Sequence, residues 1–359
     1  MPRGSLALID SAALQHNYQV ACQRSGQSSA MAVIKADGYG HGIGGVADAL
    51  AAVAPKFAVS CIEEAIAIRH AGIDQPPVAL LQGVHSEQDL ATCVEHNFEP
   101  VLHCDEQLQW LLQAPSAPRI WLKVNTGMNR LGFHPAELAR VMATITRHQL
   151  TPKVIGFVTH FACADDECST MTQQQTECFE KATAPWPELQ RSVANSAALF
   201  RADQKLFGWS RPGIMLYGAS PIVGTPAAAL GLKPVMTLQA PLISTRLLQP
   251  GDSVGYGASW VARKPTRMGI VALGYGDGYP RHAGTGTPAA IHGQRIQLIG
   301  RVSMDMLAVD LNTAPEASNG DPVELWGATV PVDDVAGHAG TIGYELLTGV
   351  TARVPRRWC

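Results

Sequence analysis

Short apolar runs rich in β-branched residues alternate with longer segments of helical periodicity from Met31 to Gly218. This alternation is typical of a parallel sheet in which a covering helix follows each strand. About eight such strands follow one another, and that number fits a (β/α)8 barrel better than an open sheet, which usually has fewer. The candidate strands are MAVIKAD, FAVS, PPVALLQ, FEPVLH, RIWLKVN, KVIGFVTH, RSVANS and SRPGIMLYG.

The pattern changes after the interval Pro221 to Pro234, which is rich in Ala, Gly and Pro and is typical of a linker. Strand-like segments with Gly and Pro turns follow it, namely VMTLQAPLISTRLL, RMGIVALGYG, RIQLIGRVSMDMLAVDL and PVELWG. TIGYELLTGV is the one helix predicted in this part. We therefore predict an α/β chain with a (β/α)8 barrel domain over residues 1–232 and a mainly β domain over residues 233–359, with residues 1–10 pairing with the second domain.

Composition narrows the class of protein. Hydrophobic residues make up 46% of the chain and charged residues 16%, which supplies a buried core and argues against disorder. The net charge is −3 and the longest basic cluster is Arg356-Arg357, so we expect no nucleic-acid partner. The apolar run Leu6 to Ile9 is too short for a signal peptide, and no stretch is long enough to span a bilayer, so we expect a cytoplasmic protein without a membrane partner. Eight scattered cysteines, among them Cys163 and Cys168, predict neither a metal site nor a disulfide framework.

A lysine ends the first predicted barrel strand. The segment MAVIKADGYGHG puts Lys35 before flexible glycines, where a desolvated amine can form an imine with an aldehyde cofactor. A lysine that snorkels to solvent is the other interpretation of the same residue. Gly40, Gly42 and Gly45 also satisfy the G-x-G-x-x-G pattern of a dinucleotide loop. Polar strand ends continue around a full barrel, however, which argues against an open dinucleotide-binding sheet.

Polar residues also end the later strands of the predicted barrel, where barrel enzymes keep their active sites. Arg130, which follows Lys123, is suited to bind a substrate carboxylate with two N–H groups, although it could instead hold its own loop. A serine that opens a helix, next to small residues with exposed backbone N–H groups, is typical of a phosphate cup. Each of these residues alone could be a cap, a turn or a core polar group. The remaining candidates are His160, Asn195, Ser196, Arg211, Gly213 and Ile214.

In the second predicted domain, aromatic residues lie between glycines. Tyr256 is in SVGYGASW and Tyr275 is in LGYGDGYPR, while Met304 and Asp305 are in IGRVSMDM and Tyr344 is in TIGYELLT. Such aromatic residues can simply be turn residues that pack on a sheet.

In their order and spacing these segments resemble the alanine racemase family, a fold-type III family that uses pyridoxal phosphate. The resemblance extends from KADGYGHG to TIGYE and covers nearly the whole chain. It implies a homodimeric racemase of L- and D-alanine with shared active sites, in which Lys35 holds pyridoxal 5′-phosphate as a Schiff base. It also implies that Arg211 bonds the pyridine nitrogen. The implied phosphate contacts and neighbouring cofactor residues are Tyr39, His160, Asn195, Ser196, Gly213, Ile214 and Tyr344.

The resemblance implies two catalytic bases, Lys35 on one face of the substrate and Tyr256 of the partner subunit on the other. Arg130 and the main chain at Met304 match the substrate-carboxylate site. Because a free tyrosine has a pKa of about 10, Tyr256 needs nearby positive charge or hydrogen-bond donors. We expect His160, supported by Arg211, to provide them.

Three further residues have supporting roles in the resemblance. Lys123 matches a lysine that is often carbamylated in the family and that orients the arginine equivalent to Arg130, while Asn125 stands where many relatives have aspartate. Tyr275 matches, with Tyr344, a residue that narrows the entrance, so small side chains should be preferred, alanine first and serine second. Asp305 forms with Met304 an MD pair that favours a racemase.

Other functions remain open from the sequence. The chain could be a racemase of broader specificity that includes serine, a pyridoxal-phosphate-dependent decarboxylase on the same two-domain plan, or a non-enzymatic carrier of the cofactor. Carriers of that kind lack a β domain and so have no Tyr256. The sequence also leaves open whether D-alanine is made for peptidoglycan or consumed.

Overall fold

The computed structural model describes residues 4–202 and 205–359. Its strands are, in chain order, β1 Leu6–Ile9, β2 Ser29–Ala30, β3 Ala32–Val33, β4 Phe57–Val59, β5 Val78–Leu80, β6 Phe98–Leu102, β7 Ile120–Lys123, β8 Val154–Val158, β9 Gln190–Ser192, β10 Trp209–Ser210, β11 Met236–Leu248, β12 Ser253–Val254, β13 Trp260–Val261, β14 Thr266–Val271, β15 Pro288–Ile291, β16 Gln294–Leu298, β17 Leu307–Asp310, β18 Pro322–Trp326 and β19 Arg356–Trp358.

The helices of the same ranges are α1 Ser11–Ser25, α2 Lys35–Tyr39, α3 Ile43–Ala51, α4 Ile62–His70, α5 Glu87–Glu95, α6 Asp105–Gln113, α7 Leu138–Arg147, α8 Met171–Thr183, α9 Val332–Ala339 and α10 Gly343–Gly349. All are α-helices except α2, which is a left-handed turn. Local sequence sets several of their ends. The Asp10 side chain caps α1 by accepting a hydrogen bond from the Ala13 N–H at 2.8 Å. Ser86 and Asp89 form a capping box at the start of α5. Within the described ranges, none of the helices has the length and apolar character needed to cross a bilayer.

Strands β2 to β10 form a parallel barrel. Their order is β2-β10-β9-β8-β7-β6-β5-β4-β3, and only Met31 separates β2 from β3. The Met31 N–H donates to Ser210 O in β10 at 2.9 Å, while the Ala32 N–H donates to Lys56 O, just before β4, at 2.9 Å. Consecutive residues of one extended segment therefore bond to β10 on one side and to β4 on the other, which closes the ring. The predicted barrel is confirmed.

Part of the last predicted barrel segment is not a strand. In SRPGIMLYG only Ser210 belongs to β10, and Ile214–Tyr217 form a 3-10 helix instead. Pro212 has no N–H to donate to a neighbouring strand, and the Gly213 backbone, at φ −122° and ψ −95°, turns the chain out of the sheet.

The second domain is built on a mainly antiparallel sheet of eight strands in the order β14-β17-β16-β15-β18-β11-β1-β19. The long strand β11 pairs with β1 and β18 in its first half and with β14 in its second half, so the sheet curls back on itself. A separate hairpin of β12 and β13 carries Tyr256 in its turn. The predicted mainly β character of this domain is confirmed.

The prediction of a single helix in the second domain is wrong, because α9 precedes α10. The segment VDDVAGHA is short, contains a glycine and begins with a β-branched residue, all of which lower helix propensity. Its apolar residues Val332, Val335, Ala336 and Ala339 are buried at helical spacing, so tertiary packing stabilises the helix.

The two ends of the chain meet beside the barrel mouth. Strand β1 pairs with β19 in parallel. In β19, the Arg356 Nε donates to Gly40 O at 3.0 Å, and the other guanidinium N–H groups donate to the carbonyls of Val350, Thr351 and Val354. A Cβ on Gly45 would lie 2.2 Å from the Trp358 ring. The last strand therefore packs directly on the segment that follows Lys35.

Candidate active site

A cavity of about 1040 Å³ opens at the carboxyl ends of the barrel strands. This is the end at which barrel enzymes carry out their chemistry. Of the predicted site residues, those that line the cavity are Lys35, Tyr39, Lys123, Arg130, His160, Asn195, Ser196, Arg211, Gly213, Ile214 and Tyr344. The fold thus brings together residues that lie up to 309 positions apart in the sequence, from Lys35 to Tyr344.

Lys35 enters the cavity from a left-handed turn. Ala36, Asp37, Gly38 and Tyr39 all have positive φ, at 52°, 53°, 61° and 50°. Such backbone is unfavourable for residues other than glycine and persists only where its surroundings hold it. The turn also packs closely on α10, because a Cβ on Gly40 would lie 2.0 Å from Leu347 O.

Four cationic side chains converge on the cavity. Burial, together with the Arg130 guanidinium, lowers the pKa of Lys35. Burial and the neighbouring cations Arg211, Arg130 and Lys35 lower the pKa of Lys123 to about 8. Opposing these cations are two carboxylates in the lining, Glu106 and Glu345. The excess of positive charge suits a ligand that carries several negative charges.

Arg211 is buried and held by oxygen atoms of the neighbouring strand ends. One terminal nitrogen donates to Ser192 Oγ, and the other donates to Thr159 O and, at 3.3 Å, to Val193 O. Nε makes no hydrogen bond to any residue of the described ranges, which leaves it available to a ligand in the cavity. Burial lowers the pKa of Arg211 to about 10, so it remains protonated at neutral pH. The sequence interpretation missed Ser192, although it is the last residue of β9 and thus at a position where polar residues gather.

His160 lies against Arg211, as expected from the sequence. An Arg211 terminal nitrogen lies 3.3 Å from His160 Nδ1. Burial, followed by the Arg211 charge, lowers the pKa of His160 well below its usual value, so the ring is neutral at pH 7. Because Arg211 can only donate, Nδ1 is the acceptor and the ring proton is on Nε2.

Tyr39, Ser196 and Gly213 form one polar corner of the cavity. Ser196 Oγ accepts a hydrogen bond from the Gly213 N–H at 2.8 Å. A Cβ on Gly213 would lie only 2.5 Å from the Tyr39 hydroxyl, so that hydroxyl occupies the space where a side chain at position 213 would lie. The Tyr39 ring stacks on Tyr217, with centroids 4.6 Å apart, and lies 6.3 Å from the Tyr344 ring. Hydroxyl groups and a turn of small residues are thus fixed at one end of the cavity.

Two other candidates have clear local roles. The Asn195 Oδ1 accepts a hydrogen bond from the Ala198 N–H at 3.0 Å and so starts the following turn. The Asn125 Oδ1 accepts from the Gly127 and Asn129 N–H groups at 3.2 and 3.0 Å, which organises the loop that carries Arg130. Asn125 acts on Arg130 through the loop backbone.

The remaining predicted residues lie in the second domain and do not line the cavity of their own chain. Tyr256 is 70% exposed in the turn of the β12–β13 hairpin, and Met304 is 53% exposed. The Gly276 N–H, next to Tyr275, donates to Met304 O at 2.8 Å, so these two segments are neighbours. Asp305 accepts a hydrogen bond from Arg353 at 2.7 Å. Tyr256, Tyr275, Met304 and Asp305 are therefore exposed parts of the second domain in the single chain.

Comparison with known proteins identifies the family. The model of the alanine racemase N-terminal domain matches residues 9–221, and the model of the alanine racemase C-terminal domain matches residues 235–358. The chain belongs to the alanine racemase family. It is therefore an enzyme, an isomerase of the racemase class.

Individual alanine racemases match the chain from end to end. The chain is 66% identical to the alanine racemase of Marinobacter nauticus over 356 residues, which are 99% of each protein. The crystal structure of the biosynthetic alanine racemase from Pseudomonas aeruginosa superposes with a TM-score of 0.93 at 46% identity and covers 99% of each chain. The alanine racemase of Bartonella henselae, solved with covalently bound pyridoxal phosphate, has a TM-score of 0.87 at 29% identity and covers each chain completely.

Proposed function

We propose that this racemase interconverts L- and D-alanine with pyridoxal 5′-phosphate as its cofactor. The observation that carries the proposal is the convergence of Lys35, Arg130 and Arg211 on one cavity at the barrel mouth. The names of the relatives support alanine as substrate, and the covalently bound pyridoxal phosphate of the Bartonella henselae enzyme supports the cofactor.

The residues of the cavity fit this cofactor. The hydroxyls of Tyr39 and Ser196 are donors of the kind that bind a phosphate. Gly213 positions both, because its N–H donates to Ser196 Oγ and its lack of a side chain leaves room for the Tyr39 hydroxyl. We infer that the backbone of Ile214 and the hydroxyl of Tyr344 complete this end. At the other end the free Nε of Arg211 suits a ring nitrogen that accepts a hydrogen bond.

Lys35 would hold the cofactor and act as one base. An amine must be neutral to bond an aldehyde or to take a proton, and burial and the Arg130 charge both increase its neutral fraction. The bound cofactor supplies an electron sink that acidifies the Cα–H of the amino acid. Lys35 removes or returns that proton on one face only.

Arg130 would bind the substrate carboxylate. It lies in the loop organised by Asn125 and lines the cavity together with Lys123. A guanidinium can donate two parallel hydrogen bonds to a carboxylate and so fix the Cα–H direction toward the bases. A carbamate on Lys123 would give Arg130 an anionic partner, and a lowered lysine pKa favours the neutral amine that carbamylation needs.

Racemisation needs a second base on the opposite face, and we infer that it is Tyr256 of the partner subunit. Tyr256, Tyr275 and Met304 are large side chains that the second domain leaves exposed in the single chain, and a protein–protein contact would bury such side chains. A homodimer that packs them against the barrel mouth would bring the partner subunit's Tyr256 toward His160. The Nε2 proton of His160 is then a donor for the phenol oxygen, which favours the basic form of the tyrosine.

Trapping and a substrate panel test this proposal. Borohydride reduction should fix the cofactor on the peptide that contains Lys35, as read by peptide mass. Lys35→Ala should lose both the trapped mass and racemisation, whereas the exposed Lys181→Ala on α8 should keep both. Among L-amino acids alanine should react fastest, with serine about 10- to 100-fold slower because one hydroxyl changes pocket binding by only about 1–3 kcal/mol. A colourless protein without trapped cofactor would refute the proposal.

A further inference from the structure

The left-handed turn after Lys35 depends on a carboxylate from the neighbouring strand–helix unit. Glu64 lies in the first turn of α4, which follows β4, the barrel strand next to β3. Its Oε1 accepts a hydrogen bond from the Ala36 N–H at 2.6 Å, and its Oε2 accepts one from the Ser60 N–H at 2.8 Å. One carboxylate therefore bridges the ends of two adjacent barrel strands.

The bond to Ala36 acts at the residue directly after Lys35. Ala36 has φ 52° and ψ 54°, a conformation that an alanine adopts only when other contacts fix it. The N–H of the peptide between Lys35 and Ala36 donates this hydrogen bond to Glu64. The bond therefore sets the orientation of that peptide. The orientation of the peptide in turn determines where the Lys35 side chain leaves the backbone.

We propose that Glu64 is a positioning residue for Lys35, because its carboxylate ties the amide after Lys35 to the end of β4 and so fixes the direction in which the Lys35 amine enters the cavity. This inference rests on the proposed function of Lys35. The hydrogen bonds of the Glu64 carboxylate go to the Ala36 and Ser60 amides, so it positions Lys35 through the backbone rather than by direct contact with the Lys35 amine.

Electrostatics also links Glu64 to Lys35. Burial and Arg130 lower the pKa of Lys35, whereas the Glu64 carboxylate raises it. The neighbouring residue Glu63 is the natural control, because it has the same charge on the same helix turn but is exposed and makes no bond to Ala36.

The test compares Glu64→Gln with Glu63→Gln in the enzyme loaded with cofactor. Glutamine has one acceptor oxygen and one NH2 group, so it cannot accept from both the Ala36 and Ser60 amides. We expect Glu64→Gln to lower kcat about 10- to 100-fold, the size of a small misplacement of a reacting group, while KM for alanine changes less than about two-fold. The visible circular dichroism per bound cofactor, which reports its fixed orientation, should fall. Glu63→Gln should leave kcat and this signal unchanged.

A rescue variant separates positioning from charge. Ala36→Gly removes the steric cost of positive φ, because glycine populates that conformation readily. In the Ala36→Gly background, Glu64→Gln should therefore cost less kcat than it does in the wild type. Glu64→Asp, which keeps the charge but is too short to span both amides, should lower kcat and the dichroism signal in the same way, and it provides the test if Glu64→Gln does not fold.

The outcomes distinguish this inference from the proposed function. If borohydride fails to trap the cofactor on Lys35 in the wild type, the proposed function is wrong whatever Glu64 does. If trapping succeeds and the variants at Glu64 match Glu63→Gln in kcat and in circular dichroism, only the positioning role is overturned. An equal kcat loss from Glu64→Gln in the wild type and in the Ala36→Gly background would also overturn it, since the effect would then be one of charge alone.

Discussion

At the barrel mouth four cationic side chains face one cavity, which Tyr344 of the second domain also lines, whereas Tyr256, Tyr275 and Met304 of that domain are exposed outside it. The barrel mouth is fixed by buried hydrogen bonds, such as those of Arg211 to Ser192 and Thr159. Tyr256 and Met304, in contrast, are 70% and 53% exposed in the single chain. The difference fits the proposal that one chain builds the binding half of the site and that a second copy supplies the other half.

The largest expected effect is on racemase activity, and mixing two inactive variants tests whether each site is divided between two chains. Lys35→Ala and Tyr256→Phe should each lower racemisation about 10³-fold or more, because each removes one of the two bases. In a mixed dimer, however, one site combines the barrel of the Tyr256→Phe chain with Tyr256 of the Lys35→Ala chain and is intact. Equal amounts, unfolded and refolded together, should recover about a quarter of wild-type activity, since half of the dimers are mixed and each has one such site.

The control for this experiment is each variant refolded alone, which should stay inactive. Mixing without subunit exchange should also give no activity. If the mixed sample stays inactive although mixed dimers are detected by mass, Tyr256 does not reach the partner's barrel and the comparison between the two halves fails.

An effect of intermediate size is expected on the free energy of unfolding when Lys123, one of the crowded cations at the barrel mouth, is replaced. Replacing it with methionine removes a charge that burial and three neighbouring cations disfavour. The pKa falls from 10.5 to about 8, and one pKa unit corresponds to about 1.4 kcal/mol. With an allowance for the partial exposure of the side chain, Lys123→Met should stabilise the cofactor-free protein at pH 7 by on the order of 3 kcal/mol. Denaturant titrations in carbonate-free buffer measure this difference.

The sign of the pH dependence follows from the same shift. Between pH 8 and 10.5 the unfolded chain holds the Lys123 proton and the folded chain does not, so wild-type stability rises with pH in this window. The advantage of Lys123→Met should be greatest below pH 8 and vanish above about pH 10.5. A constant difference across this range would show that the effect is not electrostatic.

The smallest effect is expected from a charge pair of the second domain. Asp305 and Arg353 are bonded at 2.7 Å but both are largely exposed, and Arg353 also lies 3.4 Å from Asp277. Water and salt weaken exposed pairs, so Asp305→Asn should leave the urea midpoint of unfolding unchanged within error. A clear destabilisation would mean that the charge pair stabilises the folded second domain, in contrast to the crowded cations of the barrel mouth.

The barrel could be predicted because its strands are short apolar runs with polar residues at their carboxyl ends. The same pattern predicts that Lys35, Arg130, His160 and Arg211 lie at one end of the barrel, and all four line the cavity. Helix α9 could not be predicted in this way, since its stability comes from burial of Val332 and Val335 and not from its own propensity.

The hydrophobic and polar pattern of the sequence does not predict contacts between distant segments. Glu64 resembles any acidic residue in the first turn of a helix, and its bond to Ala36 depends on the register of two barrel strands. Ser192 is one more small residue at a strand end, and only the approach of Arg211 from the next strand gives it a role. The distance of Tyr256 from a barrel cavity likewise depends on how the domains pack on one another, which the sequence pattern does not predict.

The final strand β19 has a consequence for the order of events during synthesis. The Arg356 side chain bonds Gly40 O in the segment after Lys35 across 316 positions of the chain, and Trp358 packs on Gly45. The barrel strands are made first and can begin to fold while translation continues. The Lys35 turn, however, receives the contacts from β19 only after the second domain has been synthesised, so the barrel can form before its active site is finished.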